Sequence, residues 1–131
     1  MGHYKPEKYQ IGALKQFFNK KGFEYIFEAN MYSIPIDVLC KKGDTVMAIE
    51  LKSRNSKRGI EQALRNLYFA DYSFISVWED NITSALIERV ENEPIGLIAI
   101  GHDVKFISPP SKNDVEKYPR NKAEQVITSG V

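Results

Sequence analysis

Hydrophobic positions recur along the chain with two periods. Ile11, Leu14, Phe17 and Phe18 fall at three- and four-residue spacing, which gives one apolar stripe and predicts a helix over 6–21. Pro6 suits its first turn, where a missing N–H costs nothing. Lys20, Lys21 and Gly22 supply a basic last turn and a glycine stop. From Phe23 to Ala29 the period shortens to two, with Phe23, Tyr25 and Phe27 alternating against their neighbours, so this segment reads as a strand. After an expected loop over 30–33, Pro35 leads into a second strand. The apolar runs on either side of Lys42-Gly43-Asp44 then predict a hairpin.

The polar, basic stretch 53–59 reads as a loop, with Ser56 a helix N-cap. Ile60, Ala63, Leu64, Leu67 and Tyr68 form the stripe of a second helix ending near Asp71. Tyr72 to Trp78 is β-branched and aromatic, hence a strand. A third helix, capped by Asp80 or Asn81, carries Ile82, Ala85, Leu86 and Val90 until Pro94 forbids its continuation. Ile95 to Ile100 and Val104 to Ile107 read as strands around the turn Gly101-His102-Asp103. Residues 1–110 are expected to form one compact domain ending at Pro109-Pro110. Residues 111–131 read as a polar tail, broken by Pro119, with a short helix over 122–127. The order α-β-β-β-α-β-α-β-β predicts an α/β fold, with a central mixed β-sheet flanked by helices.

A length of 131 residues suits one domain. The 43% hydrophobic and 27% charged content suits an ordinary soluble protein. A net charge of +1 points to no partner, so any such argument rests on local clusters. The single cysteine, Cys40, has no internal disulfide partner and suits a reducing interior. No run approaches the ~20 apolar residues of a membrane span, and no signal pattern opens the chain. A cytoplasmic protein without a membrane partner is therefore expected. His3 is assigned no role.

Three ionisable residues interrupt the predicted hairpin: Asp37 on one strand, Glu50 and Lys52 on the other. Alternation puts Glu50 and Lys52 on one face with Leu51 opposite, and Asp37 can lie beside them on the neighbouring strand. Val46-Met47-Ala48-Ile49 before Glu50 is continuously apolar, as in a strand covered on both faces. A charge there costs several kcal/mol unless it is paired or metal-bound. The plain alternative is a pair of polar strand ends. The chemical one is a Mg²⁺ site with Asp37 and Glu50 as ligands and the Leu51 carbonyl as a third. Such a site lowers the pKa of bound water and offsets charge at phosphorus. Lys52 would act either as a base toward the attacking water or as an electrostatic partner. Mn²⁺ is expected to substitute.

Pro35-Ile36-Asp37, twelve intervening residues, then Glu50-Leu51-Lys52 resembles the PD-(D/E)xK nuclease superfamily, which includes restriction endonucleases, Holliday-junction resolvases and small archaeal and viral nucleases. The resemblance covers about residues 6 to 80 and implies a restriction endonuclease-like core of order α-β-β-β-α-β, here with an extra helix and a C-terminal hairpin. It implies metal-dependent hydrolysis of DNA phosphodiester bonds, and a homodimer. Gln62, on the helix after the motif, is similar to a glutamine that many relatives carry near the site; its alternative is a surface amide. Relatives often place a tyrosine after it, and Asn66 and Tyr68 match loosely. Many also carry a metal-binding glutamate on the first helix. The aligned position here is Ile11, which cannot bind a metal, and Glu7 is the nearest substitute, or else an ordinary first-turn acid.

Lys52, Arg54, Lys57 and Arg58 place four cations in seven residues beside the site, a DNA-facing edge that Arg65 and Lys20-Lys21 would extend. Trp78 and the tyrosines read as core or interface rather than stacking platforms, and His102 as a turn residue. With no room for a separate recognition domain, structure-dependent or low-specificity endonuclease activity is expected. The rival is a non-catalytic nucleic-acid-binding or assembly module that keeps the fold.

Overall fold

The computed structural model describes residues 6–53 and 56–130. Strands β1 (Glu24–Met31), β2 (Ile34–Lys42), β3 (Thr45–Lys52), β4 (Tyr72–Trp78), β5 (Gly96–Ile100) and β6 (Val104–Ser108) lie in chain order across one sheet. β1, β2 and β3 form an antiparallel meander, whereas β3, β4 and β5 run parallel and β6 turns back against β5. The parallel steps need crossovers. Helix α2 (Ser56–Asn66) supplies the first and α3 (Ser84–Glu91) the second. With α1 (Gln10–Lys21) before the sheet and α4 (Lys117–Gly130) after it, the fold is α/β, a six-stranded mixed sheet flanked by helices.

The apolar stripes decide which helix covers which face. Leu14 and Phe18 of α1 are buried against Val38, Cys40, Ile49, Leu51 and Phe74. The alternate positions, Ile75, Val77 and Leu97, lie under Ile60 and Ala63 of α2 and Leu86 and Val90 of α3. Each fully buried side chain of this size contributes about 1.5–3 kcal/mol. The Cys40 thiol is fully buried, and burial pushes its pKa far above the ordinary thiol range. No helix among the described residues is long and apolar enough to cross a membrane.

Several expected boundaries move. Residues Glu7–Tyr9 form a 3-10 turn, and α1 begins at Gln10. β1 continues through the expected loop to Met31, and the turn is only Tyr32-Ser33, with φ of 53° and 69°. Two left-handed residues match the twist of a tight hairpin. α2 stops at Asn66 rather than near Asp71, because the N–H groups of Leu67, Tyr68 and Phe69 turn back to the carbonyls three residues earlier. The cap of α3 is Thr83, whose hydroxyl accepts from the Leu86 N–H at 3.1 Å; Asp80 and Asn81 belong to a preceding 3-10 turn.

The largest correction concerns the C-terminal segment. The compact part does not end at Pro109-Pro110 with a tail over 111–131. α4 has 14 residues, and its Ala123 and Ile127 are fully buried with Ala29, Met31, Ile36 and Leu39. Pro119 is no breaker there. It sits in the first turn, where backbone N–H groups have no intrahelical acceptor.

Candidate active site

The proposed ligands meet where β2 and β3 part. Main-chain pairing between these strands runs from Lys42↔Thr45 to Val38↔Ile49, and one further step would set Asp37 opposite Glu50. There side chains take over the ladder. The Asp37 N–H donates to Glu50 Oε2 at 3.2 Å, and the Leu51 N–H donates to Asp37 Oδ2 at 2.8 Å. The other edge of β2 is irregular at the same point. Phe27↔Val38 and Ala29↔Ile36 pair with β1, and between them Glu28 adopts φ 57°. The pleat changes phase across this kink, so Ile36 and Leu39 share one cluster while Val38 joins the other. Asp37 sits at the switch.

Helix α2 closes over the pair. Gly59 is buried on its sheet-facing side, and a Cβ there would come within 2.6 Å of both Lys52 Cγ and Ile75 Cδ1. Glycine therefore lets the helix approach the end of β3. Seven residues on and two turns along the same face, Asn66 Nδ2 donates to Glu50 Oε2 at 2.9 Å. Arg65 Nη2 lies 3.9 Å from that oxygen and donates to the Pro35 carbonyl at 2.7 Å. On the other face of the sheet, Gln10 is fully buried in the first turn of α1. Its Nε2 donates to the Lys52 carbonyl at 3.0 Å, and its Oε1 accepts from the Ser76 hydroxyl at 2.7 Å. Asn81 Nδ2 donates to the Ser53 carbonyl at 2.6 Å. The end of β3 is thus held from three elements.

Its electrostatics are unbalanced. Glu50 is 2% exposed, and its pKa is pushed up to about 7, first by burial and then by the neighbouring Asp37 charge. Asn66, the Asp37 N–H and Arg65 pull in the other direction and do not prevail. Two carboxylates thus face each other, and among the described residues the one cation paired with them is Arg65, at 3.9 Å from Glu50 Oε2.

The predicted residues divide accordingly. Asp37 and Glu50 come together, with the Leu51 backbone bonded to Asp37 and half-buried Lys52 passing its stem beside Gly59. Gln62 lies on α2 between Gly59 and Asn66, and its Oε1 is buried with no hydrogen-bond partner among the described residues. Glu7 does not join them. Among the described residues no group of three or more Asp, Glu, His or Cys side chains is placed to hold a metal, and the first-helix residue reaching the end of β3 is Gln10. Lys57 and Arg58 are exposed at the start of α2. Arg54 and the Ser56 side chain lie outside the described residues. Arg65 does not extend a basic edge, because it is committed to Pro35 and Asn66. Trp78 is partly buried against the α1-side core, and His102 is exposed in its turn, both as expected. Not all the tyrosines are core residues: Tyr32, Tyr68 and Tyr118 are exposed.

Gln10 and Ser76 escape the sequence reading, which touches Asn66 only as a loose match after Gln62. The available signal is faint: Gln10 precedes Ile11 by one residue, and Asn66 follows Gln62 by one helical turn.

No protein-family model and no curated protein matches the chain. A solved structure of the SPO1766 protein of Silicibacter pomeroyi, a protein of unknown function, superposes with a TM-score of 0.76 at 16% identity over 95% of this chain and 85% of that one. That likeness extends to the fold alone.

Proposed function

We propose that the chain is a Mg²⁺-dependent endodeoxyribonuclease of the PD-(D/E)xK kind with a restriction endonuclease-like core. One observation carries the reading: Asp37 and Glu50 are held against each other at the end of β3 although burial and mutual repulsion oppose two charges there. A divalent cation between them removes that conflict. The donor set fits Mg²⁺, which takes oxygen ligands and is commonly bound through one or two carboxylates while keeping several waters. The surroundings support the same reading: an antiparallel meander, a helical crossover to a parallel strand, and the site at the carboxyl end of a parallel strand.

In this mechanism Asp37 and Glu50 would hold the metal, with the Leu51 carbonyl as a further ligand and no contribution from Glu7. Mg²⁺ there would supply a water of lowered pKa and offset charge at phosphorus. Lys52 faces the same side and orients the attacking water or balances the developing charge. Gln62, whose buried Oε1 has no hydrogen-bond partner among the described residues, would be a further acceptor on the helix that closes over the site. Gln10 acts at one remove: it fixes the backbone carrying Lys52 through its bonds to the Lys52 carbonyl and Ser76. Lys57 and Arg58 hold the phosphate backbone. A homodimer cutting both strands, with structure-dependent or low sequence specificity, completes the reading.

The second reading is a non-catalytic nucleic-acid-binding or assembly module. One observation favours it: Glu50 Oε2 already accepts from Asn66 and the Asp37 N–H, with Arg65 nearby. Incubation with supercoiled, single-stranded and branched DNA in Mg²⁺, Mn²⁺ or EDTA separates the two. Cleavage that requires the metal and disappears in Asp37→Ala and Glu50→Ala supports the nuclease. Cleavage that survives EDTA refutes the metal mechanism, and binding without cleavage in every metal establishes the module.

A further inference from the structure

Three of the most exposed aromatic side chains gather in one place. Tyr32, Tyr68 and Tyr118 are 50%, 61% and 79% exposed, and they come from the β1–β2 turn, the end of α2 and the first turn of α4. Phe69, fully buried, is the common base: its ring lies 6.0 Å from that of Tyr32 and 5.1 Å from that of Tyr68. Tyr32 and Tyr118 also line a cleft of about 410 Å³ with Asn121, Lys122 and Gln125. The Tyr32 phenol is held above its ordinary pKa, first by lost hydration and then by the Tyr118 and Tyr68 phenols. Flat apolar rings presented to solvent by three elements are an unusual use of exposed surface.

We infer that this tyrosine cluster is a stacking platform for the unpaired bases of single-stranded DNA, leading the strand into the Asp37–Glu50 site. The inference rests on the nuclease reading and narrows its substrate to DNA with an unpaired segment. The rings supply π-faces, on which bases stack with little regard to sequence. Lys117 and Lys122 flank Tyr118 on α4 and make no ion pair among the described residues, so their charges can meet phosphates. Glu28 lines an adjoining cleft with Lys122 but is not bonded to it. The platform is continuous with the site. The Tyr68 N–H donates to the Arg65 carbonyl, and Arg65 in turn reaches Pro35 and Glu50. Ile34, directly after the Tyr32-Ser33 turn, is three strand residues from Asp37, about 10 Å, which is about three stacked nucleotides. The lysines favour nucleic acid over a proline-rich peptide, the other ligand that such aromatic surfaces take.

The test is binding of a fluorescent oligothymidylate of about 12 nucleotides to the full chain in EDTA, read by anisotropy. Tyr68→Ala with Tyr118→Ala weakens binding at least about tenfold, whereas Phe at both positions stays within about twofold, since phenylalanine keeps the ring. Tyr32→Asn, chosen because asparagine tolerates the left-handed backbone, weakens it further. Lys122→Gln lowers the slope of log affinity against log salt by about 0.7. Alanine variants that melt like the wild type yet bind equally well overturn the proposal. So does a duplex of the same length bound as tightly as the single strand, or a proline-rich peptide that competes for the same tyrosines. Because EDTA is present, a chain that binds through the tyrosines but never cleaves refutes only the nuclease reading. One that cleaves while binding ignores the tyrosines refutes only the platform.

Discussion

Strand β3 meets a buried carboxylate at each end, and the two are treated oppositely. At its start, Asp71 accepts from the Val46 N–H at 2.9 Å and from Arg120 Nε at 3.2 Å through both oxygens. Arg120 continues to Glu124, and Glu124 to Lys41, which ties α4 to the sheet through a chain of alternating charge. At its end, Glu50 meets a second carboxylate, and the nearest cation among the described residues, Arg65, stands off at 3.9 Å. The first arrangement resolves its electrostatics within the chain. The second leaves them unresolved, as expected of a site that awaits an external cation. The contrast separates the two roles better than burial does, because both carboxylates are buried.

The sharpest way to break the contrast is to neutralise each end. On the nuclease reading, Asp37→Asn and Glu50→Gln each lower Mg²⁺-dependent cleavage by about 1,000-fold, as loss of a charge-stabilising group does. Activity within tenfold of wild type in either variant would remove Asp37 and Glu50 from the chemistry. Asp71→Asn has the complementary effect. It removes one of the two charge partners of Arg120, which keeps Glu124, and costs about 2 kcal/mol of stability, below the range for breaking a fully buried pair, since Arg120 is partly exposed. Urea unfolding measures it. A loss below about 1 kcal/mol would mean that the Asp71 network is not the tie between α4 and the sheet.

The pH dependence comes next. Glu50 titrates at about 7 in the folded protein against an ordinary 4.5. Below pH 4.5 it is protonated in both states and the penalty vanishes. As the pH rises, the unfolded chain ionises first, so stability falls between pH 4.5 and about 7 and levels off above. The full displacement corresponds to an upper bound of about 3–4 kcal/mol. Glu50→Gln abolishes this contribution, and above pH 7 that variant is more stable than the wild type, the reverse of Asp71→Asn. Mg²⁺ raises the wild-type melting temperature more at pH 8 than at pH 5, because binding needs the ionised carboxylate. If the wild-type and Glu50→Gln stability curves run parallel from pH 4.5 to 8, the frustration assigned to Glu50 is absent.

The same contrast explains what could be read from the chain. Asp37 and Glu50 are legible because a charge inside an apolar strand is conspicuous, and the element order follows from periods of two and near three and a half. Gln10 is not, since a glutamine in the first turn of a helix looks like surface. It becomes a buried partner only when β3 and β4 bring Lys52 and Ser76 beside it, 42 and 66 residues away. The Asp71–Arg120 pair spans 49 residues and stays hidden for the same reason. α4 was obscured by Pro119, which acts as a breaker only outside the first turn. Local pattern fixes elements, whereas pairing of polar groups across the sheet is a property of the assembled fold.

The smallest effect comes from the cation that stands off. Arg65→Met keeps the aliphatic stem and removes the guanidinium. The Pro35 carbonyl and Asn66 Oδ1 lose a donor, which costs about 1 kcal/mol, since the Pro35 contact is exposed and the Asn66 contact only partly buried. Glu50 also loses an influence that lowers its pKa, so its titration moves upward, and the pH at which Mg²⁺ begins to stabilise the fold moves with it. Arg120→Met at the other end should cost more, since it leaves the buried Asp71 carboxylate with the Val46 N–H but without its guanidinium. Equal losses from the two substitutions would mean that Arg65 neutralises Glu50 as Arg120 neutralises Asp71. The two ends of β3 would then be alike, and the unresolved pair would no longer single out the Asp37–Glu50 end as the site.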